Sequence, residues 1–163
     1  PDAAAGLKAV KLHGKPVECV GSFKYLGTEV GCDGSTDAET HRRCGLALGV
    51  VRQVSPVWRD SSVPTHLKAD LFRSLSLSVA LYNAETWTIS PAAATSLRQF
   101  QDSALRYVLG GHYRNAEKSR EELCAELGLQ AIEDEVRCKR IGWIAHTCRG
   151  MQMRGRCAES SKR

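Results

Sequence analysis

The sequence has no long apolar run: no window approaches the roughly 18 uninterrupted apolar residues that a membrane-spanning helix needs, so no membrane span is expected. Its start, Pro1 to Gly6, lacks the charged-then-apolar order of a signal peptide. Pro1 stands where an initiator Met would, which reads as a piece of something longer. The seven cysteines, Cys19, Cys32, Cys44, Cys124, Cys138, Cys148 and Cys157, are odd in number, widely spread and form no C-x-x-C pair. Neither a disulfide framework nor a zinc ribbon is written in such spacing, and reduced intracellular thiols are the expectation. H-E-x-x-H, G-x-S-x-G and G-x-x-x-x-G-K-[ST] are all missing, which removes the common hydrolase and nucleotide-triphosphate signatures. No internal repeat or low-complexity tract stands out.

What is present is ordinary globular material. The 163 residues are 42% hydrophobic and 25% charged, enough for one main core. The net charge of +5 is uneven: from Arg137 onward eight basic residues face the single acid Glu159. A basic tract of this kind favours polyanions such as nucleic acid over an acidic partner, with a solvated face as the plain alternative.

The apolar period changes along the chain. Val10-Lys11-Leu12 and Val17-Glu18-Cys19-Val20 flank the turn signal His13-Gly14-Lys15-Pro16, and Phe23 to Val30 alternates as a third strand ending at Gly31-Cys32-Asp33-Gly34. From Thr36 the period is helical. Thr36 and Glu39 make a capping-box pattern for a helix through Cys44, Ala47, Leu48, Val51 and Val54 to Trp58. Pro64 opens a second helix with the stripe Leu67, Leu71, Leu75, Val79, flanked by Phe72 and Leu81; its apolar surface is too wide for a free helix. Ser90-Pro91 opens a third, with Leu97, Phe100, Ala104, Leu105 and Val108, closed by Gly110-Gly111. Ser119 and Glu122 start a fourth that ends at Gly128, and Ile132, Val136, Ile141, Ile144 and Cys148 outline a fifth. Met151 to Arg163 lacks periodicity and reads as a tail. The expected fold is mainly α: about five helices preceded by a small antiparallel β-hairpin or three-strand piece.

Candidate chemistry is sparse. Cys138, His146, Cys148 and Cys157 have ligand types in spacings unlike those of zinc sites, so no metal site is assigned. Asp102, Glu133, Asp134 and Glu135 offer carboxylates for magnesium, but successive helical positions diverge and the run Glu133-Asp134-Glu135 reads as a solvated face. Glu85, in an apolar setting, reads as a partnered structural carboxylate. Trp58, Trp87 and Trp143 read as core anchors, and His146 as hydrogen-bonded within the helical packing. No catalytic residue is assigned.

Four stretches, spread from about Val10 to Met151, together resemble one known family. They are Phe23-Lys24-Tyr25-Leu26-Gly27; Glu39 to Trp58 with Arg42-Arg43; Leu67 to Thr88 with Leu81-Tyr82-Asn83-Ala84-Glu85-Thr86-Trp87; and Lys139-Arg140-Ile141-Gly142-Trp143-Ile144-Ala145-His146. In order and interval they look like the end-of-palm and thumb region of reverse transcriptases from retrotransposons lacking long terminal repeats. Asn83 and Ala145 stand where that family usually has Gly. The resemblance implies an end-of-palm β element over 1–34, a helical thumb-like domain over 35–150 and a basic tail over 151–163. It implies a primer-grip-like role for Phe23, Lys24, Tyr25, Leu26 and Gly27, and nucleic-acid contacts for Arg42, Arg43, Arg52, Lys68, Lys139 and Arg140. The implied partners are an RNA–DNA template–primer and the palm and fingers of a parent polypeptide, with a dimer conceivable and a nuclear location suggested by the family alone. The Tyr-x-Asp-Asp metal loop of such enzymes is absent: the seven aspartates are never adjacent. The chain is therefore expected to bind without catalysing and to hold no cofactor, the parent polymerase using Mg²⁺. The alternative is a helical interaction domain of the same descent that does not bind nucleic acid.

Overall fold

A computed structural model describes residues 11–110 and 117–160, the side chains of 150–160 excepted. Two short hairpins come first. Strands β1 (Lys11–Leu12) and β2 (Lys15–Pro16) pair antiparallel, as do β3 (Ser22–Tyr25) and β4 (Thr28–Gly31). Both turns place two consecutive residues at positive φ, His13 and Gly14 at 50° and 81°, Leu26 and Gly27 at 46° and 81°. That is the twist-matched turn that favours two-residue hairpins. It corrects the expectation of a single third strand: Phe23 to Val30 folds back on itself, with Phe23 opposite Val30 and Tyr25 opposite Thr28. Among the described residues two separate two-stranded sheets result, not a three-stranded piece. Val17 to Val20 joins no strand pairing among the described residues, and Val10 lies outside them.

Helix α1 (Asp37–Gln53) does not use the expected capping box. The Thr36 hydroxyl donates instead to the Thr88 carbonyl at 2.9 Å, and Glu39 turns toward the hairpin. Helix continuity to Trp58 also fails. A break at Val54 precedes α2 (Ser55–Arg59), because Pro56 has no N–H for the helical ladder. Trp58 is buried, its indole N–H donating to the Val51 carbonyl at 2.7 Å.

After Pro64, α3 (Thr65–Leu71) runs into a π-helical turn, Phe72–Leu77, and a last turn α4 (Ser78–Ala80). The wider turn rotates the residues beyond it, so the leucine stripe is redistributed. Leu67 and Leu75 are exposed, while Ala69, Phe72, Ser76, Leu77, Ala80 and Leu81 are buried. Ser76 is accommodated by donating to the Ala47 carbonyl of α1 at 3.0 Å. A 3₁₀ turn, Ala84–Thr86, then leads to buried Trp87.

Helix α5 (Pro91–Val108) keeps its expected design. Ser90 caps it by accepting the Ala93 N–H, and Leu97, Phe100, Ala104, Leu105 and Val108 are buried, with Phe100 stacked on Phe72. It lies chiefly along α1. Gly110 has the left-handed φ of 80°; Gly111 lies outside the described residues. Buried Gln101 ties this helix to the start of the last one, donating to the Gln130 carbonyl and accepting the Ile132 N–H. Helix α6 (Arg120–Leu127) has the expected capping box between Ser119 and Glu122 and ends at Gly128.

Helix α7 (Ile132–Ser160) departs most from expectation. Ile132 and Val136 reach the core, but Ile141, Trp143, Ile144, His146 and Cys148 are exposed. Trp143 is thus no core anchor, in contrast to Trp58 and Trp87, because the helix outruns the bundle that would cover it. The segment expected as a tail from Met151 continues the helix to Ser160; Met, Gln, Arg, Ala and Glu sustain a helix, and a lone Gly costs only about 1 kcal/mol.

Candidate nucleic-acid interface

The β3–β4 hairpin is fastened to the helices through its turn. Tyr82, just past α4, donates its phenolic hydroxyl to the Leu26 carbonyl at 3.2 Å. The Gly27 carbonyl accepts from Arg42 at 2.8 Å and from Arg43 at 2.5 Å. Both guanidiniums are oriented by Glu39, whose side chain is fully buried: Arg42 Nε and Nη2 lie 2.8 Å from its two oxygens, and Arg43 Nε lies 2.7 Å away. The same carboxylate accepts the Glu29 N–H of β4 at 3.1 Å. Burial by itself pushes Glu39 toward protonation. The hydrogen bonds from Arg42, Arg43 and the Glu29 amide, with the charge of Arg42, outweigh that and hold its carboxyl below the usual range. Arg42 is pushed up, first by its hydrogen bond to Glu39.

Helical position explains the cluster. Glu39, Arg42 and Arg43 stand at i, i+3 and i+4 on α1 and so share one face. Asn83 completes the join, its amide donating to the buried Thr28 hydroxyl at 3.2 Å. Asn83 adopts φ 61°, a left-handed conformation that Gly takes freely and Asn tolerates. The substitution at this motif position is therefore sterically compatible with the turn.

Of the candidate contact residues, Phe23, Lys24, Tyr25 and Leu26 are exposed, Phe23 and Tyr25 on one strand two residues apart. Leu26 is 75% exposed, more than Phe23 or Tyr25. Arg42 and Arg43 are brought to this hairpin, but as its fasteners: Arg43 keeps only 11% side-chain exposure and Arg42 34%. Arg52 is exposed and unpaired among the described residues. Lys68 lies apart, half-buried, its ammonium donating to the Trp58 carbonyl at 2.8 Å at the end of α2. Lys139 and Arg140 are exposed on α7, about 100° apart around the helix, Lys139 lining a cleft with Arg73 and Leu81 and Arg140 one with Ile89 and Leu97.

Sequence reasoning missed Glu39 as the hub, since its spacing from Thr36 imitated a cap. Tyr82 lies within a family-like motif that suggests no role for it; its link to Leu26 spans 56 residues of chain. Glu85, the acid expected to be partnered, is half-buried and makes no ion pair among the described residues.

No group of metal-binding side chains occurs among the described residues. Cys138 and His146 are eight positions apart on one continuous helix, roughly 12 Å at the usual rise, too far to share an ion. Three of the four acids weighed for magnesium are engaged in ion pairs: Asp102 with Arg106, Glu133 with Arg98 and Arg120, Asp134 with Arg137, Asp102 standing on α5 and the other two on α7. Burial pushes the Cys44 thiol up to about 11, an unreactive state.

The fold and this join define a mainly α module presenting an anchored β-hairpin. The chain is 25% identical, over 133 residues, to a putative uncharacterized transposon-derived protein of Caenorhabditis elegans. The match covers 80% of this chain and 47% of that protein, so the chain spans about half the length of this relative. No family model and no solved structure matches it.

Proposed function

We propose that this chain is the end-of-palm and thumb portion of a retrotransposon reverse transcriptase, a non-catalytic module that binds an RNA–DNA template–primer. The observation that carries the reading is the hairpin Phe23 to Gly27, whose exposed aromatics are held on a helical base by both turn carbonyls. A rigidly mounted aromatic edge suits stacking against an unpaired base or a strand end. The transposon-derived relative supports it, matching along four-fifths of the chain.

On this reading Tyr25 and Phe23 meet the primer end, and Arg52, Lys139 and Arg140 contribute phosphate contacts. Arg42 and Arg43 act mainly by holding the hairpin, with Arg42 retaining some outward reach. The polymerase aspartates and their Mg²⁺ belong to a palm that partners the module, and the site of action is intracellular, in the nucleus. Fluorescence anisotropy with a labelled RNA–DNA primer–template at two salt concentrations tests this. Micromolar binding that weakens steeply with salt is expected, because phosphate contacts release counterions.

A second reading has its own support. Ile141, Trp143 and Ile144 are each more than half exposed, an apolar surface suited to a protein partner or a second copy. Absence of binding at low salt, with self-association in sedimentation, would favour that reading.

A further inference from the structure

The exposed stretch of α7 is one wall of a groove. Glu133, Arg137, Arg140, Ile141 and Ile144 recur at i, i+4, i+7, i+8 and i+11, a single face of that helix. The facing wall is Ile89, just before α5, with Ala94 and Leu97 in its first two turns. The open space between them is about 410 Å³. From Glu133 to Ile144 the groove runs about 16 Å, or roughly three helical turns.

The carboxylate in this groove is already engaged, Glu133 accepting from Arg98 at 2.5 Å and from Arg120 at 3.2 Å. The cations keep their outward reach. Arg137 shares only Asp134, a surface pair of little worth, and its side chain is 69% exposed. Arg140 has no acid partner among the described residues. The floor is aliphatic: Ile141 and Ile144 are 60% and 55% exposed, and among the described residues no aromatic ring lines the groove on which a base could stack. Such a floor suits a protein surface better than a nucleic-acid strand. A trough of three turns, aliphatic at its base and guanidinium at its edge, matches a helix that is apolar on one face and acidic beside it. Charge disfavours the same helix from a second copy, since α7 has no acid from Arg137 to Arg156 and would set like charges together.

We infer that the α5–α7 groove docks an acidic amphipathic helix of a partner protein. Its apolar residues at i, i+3 or i+4 and i+7 lie over Ala94, Ile141 and Ile144, and a carboxylate meets Arg137. The inference rests on the exposed apolar surface of α7, which it assigns to one occupant, and is independent of nucleic-acid binding. Arg140 can serve a carboxylate or a phosphate, so the test leaves it unaltered.

The full chain is titrated against a labelled peptide of about 14 residues, long enough to become helical on docking, with Leu at i, i+3, i+4 and i+7 and Glu beside them. The same peptide with Lys for each Glu is the control. Ala94→Trp fills the groove without changing charge, and Arg137→Glu and Ile144→Ser alter exposed positions, so at least the last two leave the fold intact; thermal melting checks each. Expected are binding of the Glu peptide at about 100 μM or tighter, binding of the Lys peptide at least about tenfold weaker, and losses of about fivefold or more for each variant. Failure of the Glu peptide to bind overturns the inference, as does equal binding of the Lys peptide or undiminished binding by Arg137→Glu and Ile144→Ser. Sedimentation showing a dimer that Ala94→Trp dissociates also overturns it, in favour of a second copy. A labelled RNA–DNA hybrid is titrated in parallel. If Ala94→Trp weakens the hybrid and not the Glu peptide, the groove belongs to nucleic acid and the inference falls. If the unaltered chain binds the Glu peptide and no hybrid, the groove stands and the proposed function falls.

Discussion

The guanidinium of Arg43 lies 4.3 Å above the ring of Tyr82 while the hydroxyl of that same Tyr82 holds the Leu26 carbonyl and Arg43 itself holds that of Gly27. One cation thus braces the residue that braces the neighbouring turn carbonyl. Contact over an aromatic face adds about 0.5–1 kcal/mol or more, and partial burial shields it from screening. Through Glu39 the arrangement reaches β4, so hairpin position depends on a few side chains and not on an extended sheet.

Glu39→Gln should therefore be costly. Removing one partner of a buried ion pair leaves the other uncompensated, and about 3 kcal/mol is expected in chemical denaturation. Faster amide exchange at Glu29 should accompany it, since that N–H loses its carboxylate acceptor.

The pH dependence has a defined sign. The Glu39 carboxyl is held below its ordinary value of 4.5, so its contribution is present above that pH and is lost as the pH falls through the folded value. Melting curves of the unaltered chain and Glu39→Gln should converge as acid is added. A constant gap from neutral to acid pH would contradict the assignment.

Leu26 sits at φ 46° with its side chain largely exposed, a conformation costing a non-glycine residue about 1–2 kcal/mol. Leu26→Asn, which suits this turn, should raise the melting temperature. If the Leu26 side chain meets the strand end, the same variant should bind a primer–template more weakly, a split between stability and affinity.

Asn83→Ala should lose more stability than Asn83→Gly. Both remove the bond to Thr28, but only Ala must also carry a Cβ at φ 61°. Denaturant midpoints of the two variants decide it, with about 1 kcal/mol between them.

Tryptophans divide sharply. Trp58→Ala should cost about 3–5 kcal/mol, as large core deletions do, while exposed Trp143→Ala should change stability by no more than about 0.5 kcal/mol. Thermal denaturation of both tests how far α7 extends past its support.

Local chemistry made much of this legible in the sequence. The helix starts at Ser90 and Ser119 come from side chains that cap their own turn, and the helix end at Gly128 from a backbone angle that glycine favours. The change from alternation to helical period near Thr36 separated the β start from the helices. These features act within a few residues, so order along the chain is sufficient to reveal them.

The tertiary structure decided what depends on distant partners. Whether Glu39 caps a helix or gathers two arginines is settled by the nearness of the Gly27 carbonyl and the Glu29 amide. Leu67 and Leu75 repeat like core residues, yet the π turn and the Ser76 bond to Ala47 direct other side chains inward. Trp143 continues an apolar helix, but α7 outlasts the bundle and nothing in the described fold covers it. Periodicity records which side chains share a face; only packing determines what that face meets, because burial free energy belongs to the surface removed from water and not to the residue alone.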